Sequence, residues 1–131
     1  MLVDDIMVKD PVSLDKNVTV RECVGVLYKM RIGGVVVVEA DKRVVGIFTE
    51  RDLLRVIAQG MSLDTRLEDV MSTNVVTVTS GSLFGEAKEM MRLYRVRRIP
   101  VVDGEGRLVG LFSIRHIVDE LFEIIPRSRS A

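Results

Sequence analysis

The chain has 131 residues, 47% of them hydrophobic, and its 19 Lys and Arg equal its 19 Asp and Glu. This size and apolar content predict one globular domain with a well-filled interior. A net charge of zero provides no field to gather nucleic acid or anionic lipid, and no apolar stretch reaches the roughly twenty residues that span a bilayer. We therefore expect a soluble, cytoplasmic protein without membrane insertion, whose single Cys23 is a buried apolar thiol.

The first half of the chain predicts the order strand, helix, strand, strand, helix, over residues 11–14, 20–32, 35–38, 43–48 and 50–59. Thr19 and Glu22 have the spacing of a capping box at the start of the first helix. Gly33 and Gly34 are predicted to end that helix, and Thr49 to cap the second one.

The second half repeats this order 64 residues later, over residues 75–78, 83–96, 99–103, 107–112 and 114–125. Asp5-Ile6-Met7 returns as Asp69-Val70-Met71, and the hairpin segment 43–49 returns as 107–113. Two equivalent units in a short chain are expected to bury apolar faces against each other about a local twofold axis. The predicted divisions are 1–60 for the first repeat, 61–67 for a linker, 68–125 for the second repeat and 126–131 for a flexible tail.

These motifs resemble the CBS domain, the module named after cystathionine β-synthase, over almost the whole chain. The resemblance rests on Asp5-Ile6-Met7 at the start, the segment 98–103 before the second hairpin, and the segment 46–54 at the end of the first copy. It implies an α/β fold of two β-α-β-β-α repeats with a pseudo-twofold axis and two clefts. It also implies adenosine-containing ligands such as AMP, ADP, ATP or S-adenosylmethionine, a homodimer, and a regulatory role towards a separate, unidentified target protein.

The family's ligand motif is a Gly, two apolar residues, a Ser or Thr, two residues of any type and an Asp, and the segment 46–52 has it complete. In this interpretation the Asp52 carboxylate accepts hydrogen bonds from both ribose hydroxyls, and Thr49 belongs to the same ligand site. The alternative is that the two residues only cap a helix, and it stays open. The resemblance further implies a base-binding and a phosphate-binding group, namely Val75, Val76, Thr77 and Val96, Arg97, Arg98.

The second copy departs from that motif. It has Ser113, but His116 stands where the ribose-binding Asp belongs, and a neutral imidazole does not accept from two hydroxyls. Glycines replace the arginines in the opposite loop, so a weaker second cleft is expected, formed by Val12, Ser13, Gly33, Gly34, Ser113 and His116. The asymmetry predicts one nucleotide per chain.

The sequence argues against an enzyme and against a metal site. It has no phosphate loop of the Gly-Lys-Ser/Thr type, and one histidine with one cysteine does not form a ligand cluster. The favoured function is an energy sensor without a covalent cofactor, with AMP as the first choice because two arginines and the acidic Glu50 suit a short phosphate chain. A ligand-free dimerisation or interaction module and an S-adenosylmethionine binder are the alternatives.

Overall fold

The computed structural model describes residues 1–124. The predicted helix end at Ile125 and the predicted tail 126–131 lie outside the described residues. The elements follow the predicted order in both halves, with one additional short strand at the start, and the α/β fold class is confirmed. They are β1 (Val8–Lys9), β2 (Ser13–Asp15), α1 (Val20–Met30), β3 (Gly34–Val38), β4 (Val44–Thr49), α2 (Glu50–Ala58), β5 (Val78–Thr79), α3 (Phe84–Tyr94), β6 (Arg98–Val102), β7 (Leu108–Ser113) and α4 (Ile114–Ile124).

The chain divides into two compact units that do not coincide with simple sequence halves. The first unit contains residues 11–75 and 105–108. The second unit contains residues 1–10, 76–104 and 109–124. The start of the chain therefore folds with the second half of the sequence.

The first unit has a three-stranded sheet in the order β2-β3-β4, with β2 parallel and β4 antiparallel to β3. All five residues of β3 are buried, as its uninterrupted apolar run predicts. Cys23 is fully buried in the core of this unit, and burial raises the pKa of its thiol to about 11. The prediction of a buried apolar thiol is confirmed.

The second unit has a four-stranded sheet in the order β1-β7-β6-β5. Phe84 of α3 and Phe112 of β7 meet edge to face, with ring centroids 5.5 Å apart. The rest of its buried core is aliphatic apart from a thioether, and consists of Val3, Val78, Ala87, Met91, Ile99 and Val101.

The segments that open the two sequence repeats are attached in equivalent ways. In the second unit, the Val3 N–H donates to the Ser82 carbonyl at 2.9 Å. At the corresponding position of the first unit, the Leu67 N–H donates to the Val18 carbonyl at 2.8 Å. Short 3₁₀ helices, Val3–Asp5 and Leu67–Asp69, follow these contacts. Each repeat therefore contributes its opening segment to the unit built mainly from the other repeat.

Several predicted element bounds were wrong, and two of them show the physical reason clearly. Helix α1 ends at Met30, before Gly33 and Gly34, because Arg31 adopts a left-handed conformation with φ of 55° and donates its N–H to the last turn. The strand predicted over residues 75–78 begins only at Val78, where pairing with β6 starts. The β-branched residues before Val78 favour an extended backbone, but they have no ladder partner in the sheet.

Candidate functional site

Asp52 lies at the start of α2, directly after strand β4. Thr49 ends the strand with extended backbone and is the N-cap of the helix, which makes Asp52 the third helical residue. The Thr49 N–H donates to Asp52 Oδ2 at 2.8 Å, and the Asp52 N–H approaches Thr49 Oγ1 at 3.5 Å. This reciprocal capping box satisfies amides that a helix start otherwise leaves unpaired.

The Asp52 carboxylate accepts two further hydrogen bonds from outside the capping box. Ser72 Oγ donates to Oδ1 at 3.0 Å, and Arg55 Nη2 approaches the same oxygen at 3.3 Å. Thr49 Oγ1 also donates to Oδ2 at 3.2 Å. Each carboxylate oxygen thus has one N–H donor and one hydroxyl donor, and Asp52 is only 7% exposed. This network stabilises a charge that would be costly to bury alone.

Sequence reasoning missed both Arg55 and Ser72. Arg55 follows Asp52 by three residues on the same helix, a spacing at which opposite charges meet, so its role was readable from the pattern. Ser72 is twenty residues away along the chain. Its contact depends on how the segment 70–72 is attached, which no local pattern indicates.

Gly46 explains why the segment 70–72 reaches Asp52. A Cβ on Gly46 would overlap the Met71 sulfur and lie 3.0 Å from the Ser72 carbonyl. Ser72 and Ile47 exchange two backbone hydrogen bonds of 2.9 and 3.0 Å across this contact. The glycine of the motif therefore allows a close backbone crossing, which fixes the Ser72 backbone beside Asp52.

The second unit has the same crossing with different chemistry. Gly110 admits Met7 as Gly46 admits Met71, and Val8 pairs with Leu111 where Ser72 pairs with Ile47. The polar side chains beside this crossing differ, because the apolar Val8 is equivalent to Ser72 and His116 replaces Asp52.

His116 has an acidic neighbour on its own helix. His116 Nε2 lies 3.7 Å from a carboxylate oxygen of Glu120, one helical turn further on. Ser113, before it, is buried. This half of the sequence therefore lacks a buried carboxylate at the position of Asp52.

The loops before the central strands of the two sheets differ in a similar way. The Gly33 carbonyl accepts the N–H of Glu50 at 3.0 Å, and the Arg97 carbonyl accepts the N–H of Ile114 at 3.1 Å. The backbone of each loop thus contacts the start of the helix that follows the ligand motif in its own unit, namely α2 or α4. The Arg97 side chain is exposed, whereas Arg98 is half-buried and begins β6.

The predicted site residues are divided between the units. The first unit holds Val12, Ser13, Gly33, Gly34, Thr49, Asp52 and Val75. The second unit holds Val76, Thr77, Val96, Arg97, Arg98, Ser113 and His116. Within the first unit the structure brings Thr49 and Asp52 into direct contact. The assignment of all these residues to a ligand, Thr49 and Asp52 included, stays a prediction.

Over residues 1–124, every helix is too short or too polar to cross a membrane. In the same residues, no three His, Cys, Asp or Glu side chains gather in a way that would hold a metal ion.

Comparison with known proteins identifies the fold family. The family model of the CBS domain matches residues 3–59 and again residues 67–123. Inosine-5′-monophosphate dehydrogenase of Aquifex aeolicus (strain VF5) is 33% identical over 112 residues, which cover 86% of this chain and 23% of the dehydrogenase. The chain thus spans less than a quarter of the length of that relative.

Solved structures give the same result. The CBS domain pair of protein MJ0100, in complex with 5′-methylthioadenosine and S-adenosyl-L-methionine, has a TM-score of 0.83 and 27% identity, and the match covers 95% of this chain and 98% of that one. An uncharacterized conserved protein from Pyrococcus horikoshii has a TM-score of 0.80 and 27% identity, with coverage of 99% and 96%. With both sequence repeats matched by the family model, the chain belongs to the CBS domain family as a tandem pair.

Proposed function

We propose that the chain is a regulatory module that binds an adenosine-containing ligand, with Asp52 as the anchor for the ribose. The observation that carries the proposal is the buried Asp52 carboxylate at a helix start, where two hydroxyl groups already occupy one acceptor position on each oxygen. A vicinal diol has the same donors and replaces both hydroxyls without leaving the carboxylate unpaired.

The related domain pair of MJ0100 supports this ligand class, since its complex contains two adenosine compounds. The ligand of the present chain includes the adenosine part in this proposal, and AMP remains our first choice for the whole molecule. S-adenosylmethionine and 5′-methylthioadenosine are the next compounds to test, because the 27% identical domain pair binds them.

The remaining contacts of the proposed ligand follow from family resemblance. Val75, Val76 and Thr77 would contact the base, and all three are half-buried. Val96, Arg97 and Arg98 would lie near the phosphates, where guanidinium groups bind oxygen pairs. The weaker site would involve Ser113 and His116, together with Val12, Ser13, Gly33 and Gly34. A cytoplasmic homodimer that relays the ligand signal to a separate target protein completes the proposal.

A ligand-free interaction module is the second candidate, and exposed apolar side chains on the motif helices favour it. On α2, Leu54 and Ile57 are 67% and 59% exposed. On α4, Leu121 and Phe122 are 52% and 69% exposed. Such apolar groups on amphipathic helices are typical of surfaces that associate. In this alternative Asp52 only caps its helix.

Thermal unfolding with and without ligand separates the two candidates. AMP, ADP, ATP, S-adenosylmethionine and 5′-methylthioadenosine are added singly, with GMP as a control for unspecific nucleotide effects. A ligand at one hundred times its Kd stabilises the native state by about 2.7 kcal/mol, which raises the midpoint by roughly 5–10 °C. No shift with any adenosine compound at millimolar concentration would contradict the sensor and leave the interaction module.

A further inference from the structure

We propose that Arg55 is a positioning residue for ribose recognition, acting through the Asp52 carboxylate; this inference rests on the proposed function. The four donors around Asp52 fall into two kinds. The Thr49 N–H and the Arg55 guanidinium are nitrogen donors, one on each oxygen, and the Thr49 and Ser72 hydroxyls are the other two. Only the hydroxyls change partners by rotation about a single side-chain bond.

One nitrogen donor is a backbone group, and the other is held by a backbone carbonyl. The Thr49 N–H belongs to the end of β4 and to the capping box. Arg55 is anchored by a second contact, because its Nη2 also donates to the Val70 carbonyl at 2.5 Å. Val70 is buried in the core of the first unit, so this carbonyl is a fixed reference point. Each Asp52 oxygen therefore has a nitrogen donor with a second attachment, the backbone for Thr49 and the Val70 carbonyl for Arg55.

The hydroxyl donors mark where a ribose would bind. When the hydroxyls of Thr49 and Ser72 rotate away, each carboxylate oxygen keeps its nitrogen donor and gains one free acceptor position. The free positions lie on different oxygens, which suits bidentate binding of a 2′,3′-diol. Ser72 is exposed, so its hydroxyl can rotate towards solvent. Without Arg55, Oδ1 would lose its fixed donor and the carboxylate would turn more freely about its side-chain bond.

The second unit lacks this arrangement. Asp119 stands where Arg55 stands in the first unit, and Val8 replaces Ser72. The positioning cation and the hydroxyl are thus missing together with the aspartate. This correlated loss supports a joint role of Asp52, Arg55 and Ser72.

The test measures recognition of the ribose hydroxyls in a variant of Arg55. AMP and 5′-methylthioadenosine are titrated calorimetrically, each beside its 2′,3′-dideoxy analogue, into the wild-type chain and into Arg55→Gln. The matched control is Arg51→Gln, which removes the same charge from an exposed position on the same helix. Arg55→Lys keeps the charge but not the planar group that reaches two acceptors, and it provides a second variant should Arg55→Gln unfold.

We expect the wild type to prefer the ribose form by about tenfold or more, and Arg55→Gln to reduce this preference roughly three- to tenfold. Arg51→Gln should keep the wild-type ratio, and Arg55→Lys should lie between. If Arg55→Gln weakens ribose and dideoxy forms equally, or leaves both unchanged, the inference is overturned while the proposed function stands. If the wild type binds none of these compounds, the proposed function fails and the inference with it.

Discussion

Helices α2 and α4, which follow the ligand motif in the two copies, have similar backbone surroundings but different side chains. At both, a glycine in the preceding strand admits a methionine from the opening segment of a repeat, as Gly46 does for Met71 and Gly110 for Met7. The side chain three residues into α2 is the buried Asp52, with four donors around it. The side chain at the same place in α4 is His116, beside Glu120.

This comparison separates the parts of the family motif that make the fold from those available for a ligand. The glycine allows a close approach of the opening segment in both copies, whatever the copy binds. The aspartate is not required for a helix at this place, since α4 forms with His116 there. Asymmetry between the copies is therefore the feature that the following variants test.

The largest effect is expected from the shared glycine. Gly46→Ala should lower the free energy of unfolding by about 1–3 kcal/mol, because the new Cβ overlaps Met71 and presses on the Ser72 carbonyl. Gly110→Ala should cost less, since the three atoms nearest to its Cβ all belong to the flexible Met7 side chain. Urea denaturation measures both values.

Gly25→Ala provides the control for this pair. Gly25 is on α1, and its Cβ would meet nothing within 4 Å, so the exchange to alanine should be neutral or stabilising. Equal stability of Gly46→Ala and Gly25→Ala would show that the crossing does not require glycine.

An intermediate effect is expected from the loop arginines. Replacing Arg97 and Arg98 together by alanine should weaken AMP binding by about tenfold or more and adenosine binding much less, because guanidinium groups recognise phosphate. Fluorescence or calorimetric titration with both ligands measures the difference. Adenosine losing as much affinity as AMP would mean that the arginines are not phosphate contacts.

The smallest effect is expected at Asp4, which attaches the opening segment of the chain. The Ser80 hydroxyl and the Gly81 N–H, the latter at 2.7 Å, donate to its carboxylate and lower the pKa of Asp4. A lowered pKa in the folded state stabilises the protein above the unfolded value, and the contribution disappears as the pH falls through the folded value.

Asp4→Asn should therefore lower stability by at most about 1 kcal/mol at pH 7. The difference from wild type should begin to narrow below about pH 4, where the carboxyl group of the unfolded wild-type chain takes up a proton, and should narrow further as the pH falls through the lower pKa of the folded state. Denaturation at several pH values measures this trend. A difference that stays constant down to pH 2 would assign the effect to something other than the charge.

Much of the fold was predictable because it depends on local patterns. The helix start at Glu50 follows from the N-cap preference of Thr49, and the buried strand β3 from its apolar run. The left-handed Arg31 was not predictable, since glycine normally takes that conformation and two glycines follow close behind.

The candidate site was predictable only in part for a related reason. Thr49 and Asp52 are three residues apart at one helix start, and this spacing predicts their contact. Ser72 and the Val70 carbonyl come from a distant segment, and their place beside Asp52 depends on the exchanged opening segments of the repeats. Long-range attachment of this kind leaves no periodic signal in the sequence.

The central claim is that one ligand binds per chain and that Asp52 holds it. Calorimetric titration of the wild type, Asp52→Ala and His116→Ala with the adenosine compound that gives the largest thermal shift tests this claim directly. We expect a stoichiometry of about one for the wild type and His116→Ala, with similar affinities, and loss of most binding in Asp52→Ala. Two equivalent sites, or equal losses in the two variants, would contradict it.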